Sequence, residues 1–427
     1  MTISSGSTEE MFRPPLNRGM QLLDRSLFKK TILISAAKVV DRKRIKDFRT
    51  TLNHDLLRLD RFQTVQNILE PNGEQSKALL LNQSIYPSDD IMCSILPEDE
   101  HDNIPTGFSV VGHVVHLNLR SEHLPYKHLI ATLLLDKVPS ARSIINKIDD
   151  VGSGNAFRTF NYELLAGDPD LNVEVNEEGC LFTFDYSKVY WNSRLNTEHR
   201  RIVQQFKPGE AICDVMAGVG PFALPAGRKR CWVMANDLNP ASFDSLAGGI
   251  QRNKVQNFVK AHKEDGNSFV RSSTMQLLNE DVEIDVTPSR PRHSRDDAAS
   301  KLVKKQVMRR PRVFSHYVLN LPASALTFLP SFVGVYAGYE RLFSPHTDTE
   351  LPLVHVYCFN TKSDNVEEVE HDICREISQQ IGHDMHPESE GEKEGSVSIW
   401  DVRDVAPNKR MFCASFRLPE KVAYGHF

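Results

Sequence analysis

No run of about eighteen consecutive apolar residues occurs in the chain, so it offers no helix long enough to cross a bilayer, and no membrane is expected among its partners. Paired cysteines are missing too. The seven present (Cys93, Cys180, Cys213, Cys231, Cys358, Cys374 and Cys413) are odd in number and never form C-x-x-C, which sets aside a disulfide framework, a zinc ribbon and a dithiol redox pair. A reducing compartment and no metal are expected. The closely spaced His113 and His116 are read as structural or RNA-facing. An excess of positive charge is also lacking: the formal net charge is −5, the wrong sign for binding nucleic acid through the overall field, so any phosphate-binding surface has to be a local patch. What remains, 427 residues of which 40% are hydrophobic and 25% charged, is the composition of a globular protein with chain enough for two or three domains.

Along the chain, the first ten residues carry Glu9 and Glu10, which a transit peptide avoids. From Met11, Arg13, Arg18, Arg25, Lys29 and Lys30 face a single Asp24, so residues 1–30 read either as a mitochondrial address or as a basic tail. Residues 31–104 mix helical stretches with the basic run Asp41-Arg-Lys-Arg-Ile-Lys46 and end in a polar connector from 87; they form a candidate N-terminal domain. Residues 105–192 read as an intermediate α+β region. It holds a strand in GFSVVGHVVHLNL, a helix or strand in LIATLLLDKV, and a hairpin over 172–191 that turns at Asn176-Glu-Glu-Gly179. From 193 the pattern becomes strand, glycine-rich loop, helix, strand, acid, helix, which predicts an α/β doubly wound sheet to the C-terminus. A charged stretch with Pro288 and Pro291, about 271–312, interrupts it as an outer-loop insertion. Its second half (Lys301, Lys304, Lys305, Arg309, Arg310, Arg312) reads as a basic arm for RNA or as a solvated loop.

A nucleotide site follows from Ala211-Ile-Cys-Asp-Val-Met-Ala-Gly-Val-Gly-Pro-Phe222. An apolar strand runs into Asp214 and then into Gly218 and Gly220, where missing side chains let backbone approach a ligand and a helix starts at Pro221. A second strand ends in Asn236-Asp237, an acid placed to accept the hydroxyls of a ribose. A dinucleotide fingerprint would need glycine at 223, which is Ala223, so NAD is disfavoured. The lone G-x-G reads equally well as a tight strand-to-helix turn. Asp214, the Asn236-Asp237 pair and the later Asn320-Leu-Pro322 tilt the reading to S-adenosylmethionine, and Asp265-Gly266 offers an acid that can hold an adenine amino group.

The stretches LLDKVPSARSIINKID, AFRTFNYELLAGD, FDYSKVYWNSRLNTEHRRIV, DVMAGVGPF, NDLNP, NLPASA and VRDVAPNKRMFCASFRLP together resemble the archaeal and eukaryotic tRNA guanine-N1-methyltransferase family, over about 110–420 apart from the insertion. That family acts on the guanosine at tRNA position 37, 3′ of the anticodon. The resemblance implies a class I methyltransferase sheet, smaller α+β tRNA-binding domains before it, S-adenosylmethionine as donor, tRNA with G at position 37 as partner, a monomer, and mitochondrial matrix, nucleus and cytoplasm as locations. By position it makes Arg158 the arginine facing guanine O6, Glu198 the general base and Asn320 an active-site asparagine. Tyr190, Arg194, His199, Asp237, Leu238, Asp265 and Gly266 match positions lining the donor or the target base. Asp214, Gly218, Gly220 and Pro322 join the cofactor set, and Arg158 and Arg194 the substrate set. Archaeal members have arginine where this chain has His199, which implies a weaker or pH-sensitive contact.

The chemistry makes the same demands independently. Guanine N1 is protonated at neutral pH and attacks a sulfonium methyl only after losing that proton, which calls for a carboxylate; the negative charge then spreads to O6, where a guanidinium serves best. The local pattern also allows a plainer role, since Glu198 has Arg194 at i−4 and Arg201 at i+3, the spacing of a surface ion pair. Methylation of an exocyclic amine is disfavoured, because Asn320-Leu-Pro-Ala323 lacks an aromatic ring to stack on the base. Aminocarboxypropyl transfer in the wybutosine pathway and a non-catalytic tRNA-binding protein stand as the alternatives.

Overall fold

Sequence patterns become strands and helices over the residues that the computed structural model describes: 18–28, 36–39, 45–46, 49, 65–69, 75–80, 92–93, 96–97, 107–148, 157, 159–287, 306–361, 365–390, 394–406 and 408–425. These divide into two units, one drawn from 1–154 and 160–173, the other from 155–159 and 174–427.

In the first unit, β1 (Ala36–Val39), β2 (Val65–Leu69) and β3 (Gln75–Leu80) form an antiparallel sheet with β3 central. This region therefore contains strands where helices were expected. The segment read as one strand in GFSVVGHVVHLNL is two, β4 (Ser109–Val111) and β5 (Val114–Leu117), because Gly112 takes φ +57° and reverses the chain. They join β6 (Ser143–Lys147) and β7 (Tyr162–Gly167) in the order β4-β5-β6-β7. The ambiguous apolar segment is a helix, α1 (Lys127–Lys137), which buries Leu129, Ile130, Leu133 and Leu134 in the core that includes Val115, Leu117 and Ile144.

A hairpin of β8 (Asn172–Glu177) and β9 (Cys180–Asp185) turns at Glu178 and Gly179, both at positive φ, as its Asn-Glu-Glu-Gly sequence indicates. Beyond it, α2 (Asn196–Gln205), β10 (Ala211–Asp214), α3 (Ala223–Arg228), β11 (Trp232–Asn236), α4 (Pro240–Arg252), β12 (Val259–His262) and α5 (Gly266–Asn279) alternate as predicted. There follow a small hairpin of β13 (Glu283–Asp285) and β14 (Val307–Arg309), then β15 (His316–Leu319), β16 (Leu353–Thr361), α6 (Val366–Ile381), β17 (His386–Pro387), β18 (Ser396–Ala406), β19 (Lys409–Arg417) and α7 (Glu420–Tyr424). The main sheet runs β12-β11-β10-β15-β16-β19-β18-β17, parallel from β12 to β16, with β19 antiparallel to both its neighbours. β10, β11 and β15 are buried along their whole lengths, so their sequences are largely apolar and do not alternate. The strand order reverses at β10, and the crevice for a ligand opens at the carboxyl ends there. Six of the seven cysteines, all but Cys93, are buried thiols.

The insertion expected at 271–312 is shorter than that. Residues up to Asn279 belong to α5, whose N-cap Asp265 accepts the amides of Asn267 (3.0 Å) and Ser268 (3.4 Å), and whose Phe269, Val270, Leu277 and Leu278 lie in the main core. Ser273 and Thr274 are buried as well, each returning its hydroxyl to the preceding turn, so the polar composition hides an inward face. Arg310 and Arg312 are not part of a free arm: they donate to the carbonyls of Glu280 (2.8 Å) and Leu278 (2.8 Å) beyond and within the last turn of α5. Lys301, Lys304 and Lys305 lie outside the described residues.

Val286 N–H donates to Gln306 O (2.8 Å) and Gln306 N–H to Thr287 Oγ1 (2.9 Å), so the ends of segment 288–305 already meet. Replacing 288–305 by an Asn-Gly turn is expected to move Tm by no more than about 2 °C. Starting the deletion at Leu278 removes a core residue and the acceptor of Arg312, and a calorimetric scan should show the transition collapse.

Candidate active site

One side chain ties the carboxyl ends of three strands. Asn236, buried at the end of β11, donates from Nδ2 to Val215 O (3.0 Å) after β10 and to Glu264 O (3.0 Å) after β12, and its Oδ1 accepts Glu264 N–H (2.7 Å). Its own carbonyl accepts Ala217 N–H (2.6 Å). The three loops that leave these strands are thereby fixed to one another.

Each loop brings one group to a cavity of about 220 Å³. After β10, Gly218 adopts φ +57° with no atom within 4 Å of where a Cβ would stand, so backbone faces open space. After β11, Asp237 accepts Gly218 N–H (2.8 Å) and Asn239 N–H (2.9 Å), which fixes its carboxylate; burial nevertheless raises its pKa above the ordinary carboxylate value. After β12, Asp265 and Gly266 open α5. A Cβ on Gly266 would lie 2.7 Å from the Phe328 ring, so this wall has room only for glycine. Asn320 and Leu321 follow β15, and Tyr190, Leu238 and Phe157 stand partly exposed at the lining. The lining thus combines a few convergent polar groups with apolar walls, the usual make-up of a small-molecule site.

Of the cofactor residues expected from sequence, Tyr190, His199, Gly218, Asp237, Leu238, Asp265, Gly266 and Asn320 meet here. Asp214, Gly220 and Pro322 do not line the cavity. Asp214 turns into the protein, fully buried, with neither oxygen hydrogen-bonded among the described residues; burial, then the proximity of Asp237, pushes its pKa well up and favours the neutral acid. Gly220 serves packing: a Cβ there would lie 2.7 Å from Leu246 and 3.1 Å from Leu224, so it allows α3 and α4 to approach. Arg194 is outside the lining as well, and Arg158 lies outside the described residues. Sequence reasoning passed over Phe157, Trp191, Leu321 and Phe328, whose apolar character carries no functional signal, and Asn236 stood out only as the neighbour of Asp237.

Glu198, in the first turn of α2, is 4% exposed and also absent from the lining. The expected pairing with Arg201 is present but is no surface pair: Arg201 donates from Nε to Oε2 and from Nη2 to Oε1, both at 2.7 Å, and Tyr357 on β16 donates its hydroxyl to Oε1 at 2.6 Å. Arg201 also lies over the Trp400 ring at 4.9 Å. Arg194 is not a partner of Glu198. The next residue, His199, does reach the cavity; its Nδ1 is 2.6 Å from Glu177 Oε1, both side chains being buried, and its ring meets Phe222 edge-on at 4.9 Å.

The chain matches the TYW2 N-terminal domain family over residues 88–170 and the TRM5/TYW2 methyltransferase domain family over residues 173–282. A tRNA (guanine(37)-N(1))-methyltransferase of Aspergillus fumigatus is 46% identical, covering 99% of this chain and 98% of its own. One of Schizosaccharomyces pombe is 44% identical over 94% of each. Among solved structures, Trm5b of Pyrococcus abyssi is similar with a TM-score of 0.53 at 19% identity, covering 90% of this chain and 98% of that one. The chain in the complex structure of aTrm5 and tRNALeu gives 0.51 at 17% identity, over 90% and 99%. At those identities the likeness concerns the fold.

Asn236→Ala removes two donor contacts and one acceptor from buried backbone, and is expected to lower the unfolding free energy by roughly 3 kcal/mol. Urea denaturation with an unchanged m-value checks it. A variant as stable as the parent would mean that the strand ends hold their positions without the amide.

Proposed function

The chain belongs to the tRNA (guanine(37)-N(1))-methyltransferase family and methylates N1 of guanosine 37 in tRNA, and we propose that S-adenosylmethionine occupies the cavity beyond β10–β12 while Glu198 takes the N1 proton. The observation that supports the donor site is the pairing of a braced carboxylate, Asp237, with an open glycine backbone, Gly218, at the switch point of the sheet. Asp237 would accept the ribose hydroxyls, Asp265 the adenine amino group, and the walls of Phe328, Leu238 and Leu321 would flank the adenosyl body. When bound, the donor supplies an electrophilic sulfonium methyl.

The chain's own residues then have to ionise the base. A carboxylate offers about four acceptor positions. Arg201 and Tyr357 occupy three at Glu198, which fixes the group and leaves one position for the N1–H of the guanine. Loss of the N1 proton puts negative charge on O6, and stabilising it is the role that Arg158 takes by its place in the family motif. Asn320 is suited to hold the flipped base through its amide, and Arg194 to contact the RNA at the rim. His199 is tied to Glu177, which leaves Nε2 as the group it presents to the cavity.

Asp237→Ala should raise the dissociation constant for S-adenosylmethionine by about 30- to 1000-fold, roughly 2–4 kcal/mol, because paired hydroxyls lose a charged acceptor. Unchanged calorimetric binding removes Asp237 from the donor site. Glu198→Gln should leave donor and tRNA affinity near the parental values and slow single-turnover methyl transfer by about 10²–10⁴-fold near pH 7. Since hydroxide ionises N1 without help, this variant should regain part of its rate at higher pH, while Arg158→Ala, lacking the stabiliser of O6, should regain less. A parental rate for Glu198→Gln at pH 7 would leave Glu198 as a buried ion-pair residue only.

A further inference from the structure

The opposite edge of the same sheet carries a second concavity. It lies where β11 and β12 begin and is lined by the turn after α3, the turn after α4 and the β8–β9 hairpin, with Arg228, Arg230, Arg252 and Lys254 around it. All four cations are solvent-exposed. Arg228 donates to the carbonyl of Gly179; Arg230, Arg252 and Lys254 have no carboxylate partner among the described residues. Glu178, the acid in the hairpin turn, is held by Arg200 Nε at 2.7 Å.

The backbone under these cations is unusual. Among the described residues only three non-glycine residues have positive φ: Arg230 (64°) and Lys254 (57°), which line this concavity, and Glu178 (48°), which precedes the lining Gly179 in the hairpin turn. Arg230 and Lys254 occupy the same position in two copies of one motif. Arg230 N–H bonds Gly227 O (3.0 Å) and Cys231 N–H bonds Ala226 O (3.0 Å); Lys254 N–H bonds Gln251 O (3.1 Å) and Val255 N–H bonds Ile250 O (3.0 Å). Both are helix ends that glycine normally closes, because a side chain is strained there. The helix dipoles do not explain the choice, since Arg228 and Arg252 already sit in the two last turns. The walls are also fixed in advance: Asn253 accepts Leu181 N–H (2.8 Å) and donates to Leu181 O (2.9 Å), tying the hairpin to the end of α4.

We propose that this concavity is a second RNA-binding site, which holds backbone phosphates of the substrate tRNA at the edge of the sheet remote from the methyl-transfer cavity. A chain of net charge −5 repels a polyanion overall and needs such a local patch. Guanidinium forks match phosphate oxygens, and the concavity offers charge rather than an apolar anchor, which suits RNA better than a protein partner. The identity of the RNA rests on the tRNA reading above; the geometry of the site does not.

The test uses the full-length protein with Arg230→Gly/Lys254→Gly, and separately Arg252→Glu. Glycine relieves the left-handed backbone, so the double variant should melt at or above the parental temperature while binding tRNA about tenfold more weakly near 0.15 M salt. The slope of log Kd against log salt should become shallower by about two, KM for tRNA should rise, and kcat and donor affinity should stay parental. Arg252→Glu should weaken binding in the same direction, and Arg230→Lys/Lys254→Arg should restore it. Parental tRNA affinity and salt slope in the glycine double variant would overturn the proposal, as would a lowered melting temperature accounting for the loss. A parental protein that binds tRNA with this salt dependence yet transfers no methyl would sink the earlier reading and leave this one standing.

Discussion

The side-chain amide of Asn236 is the constraint on which the cavity depends. Parallel strands end in loops, and loops left alone vary more than the strands beneath them. Here the end of β11 grips backbone on both sides, so Gly218, Asp237 and Asp265 share one frame instead of three. The second interaction in that frame, Gly218 N–H to Asp237, puts the glycine turn and the carboxylate in register. Because Asn236 is buried, it competes with no water for these partners, and the three bonds are worth more than the same bonds at a surface.

A different kind of constraint lies beneath α2. The sheet there carries His316, His355 and Tyr357 on buried backbone, and polar contacts join them: Glu210 to His316 at 3.5 Å, His316 to His355 at 3.0 Å, His355 to Ser415 at 2.8 Å, and Tyr357 to Glu198 at 2.6 Å. Burial, then the neighbouring His316 and Arg201, keeps His355 well below the ordinary histidine pKa, so its ring is neutral. Glu198 and Arg201 meet in this layer as a bidentate pair. Removing one partner of such a pair strands the other in a region with little water, which is why geometry here is set tightly.

How far the sequence could be read depended on whether chemistry was local. Gly218, Asp237, Asp265 and Asn320, which line the cavity, could be picked out because each follows an apolar strand. Asp214 and Gly220 lie outside the lining for physical reasons: Asp214 ends a strand buried on both faces, where the alternation that would tell cavity from core is erased, and Gly220 stands in the turn beyond it, where its contact with Leu246 and Leu224 is tertiary. Arg201 could be foreseen as a neighbour of Glu198 at i+3, but Tyr357 stands 159 residues away and nothing short of the fold brings it there. α5 was half lost to the insertion because Ser273 and Thr274 satisfy their hydroxyls within the helix and so can be buried while looking polar. Strands β1 to β3 escaped for want of clear alternation.

The buried cysteines give the protein a chemical silence. Burial raises the thiols of Cys180 to about 11 and of Cys231, Cys358 and Cys413 to about 12, so at neutral pH the thiolate fraction at each is on the order of 10⁻⁴ to 10⁻⁵. Alkylating reagents and peroxide act on thiolates, and these sites therefore stay unmodified for as long as the sheet remains closed. Once a segment opens, its thiol returns to an ordinary pKa and becomes reactive. Four cysteines, three on β9, β16 and β19 and Cys231 just before β11, thus form a set of internal clocks, each recording how often its own segment comes away from the rest.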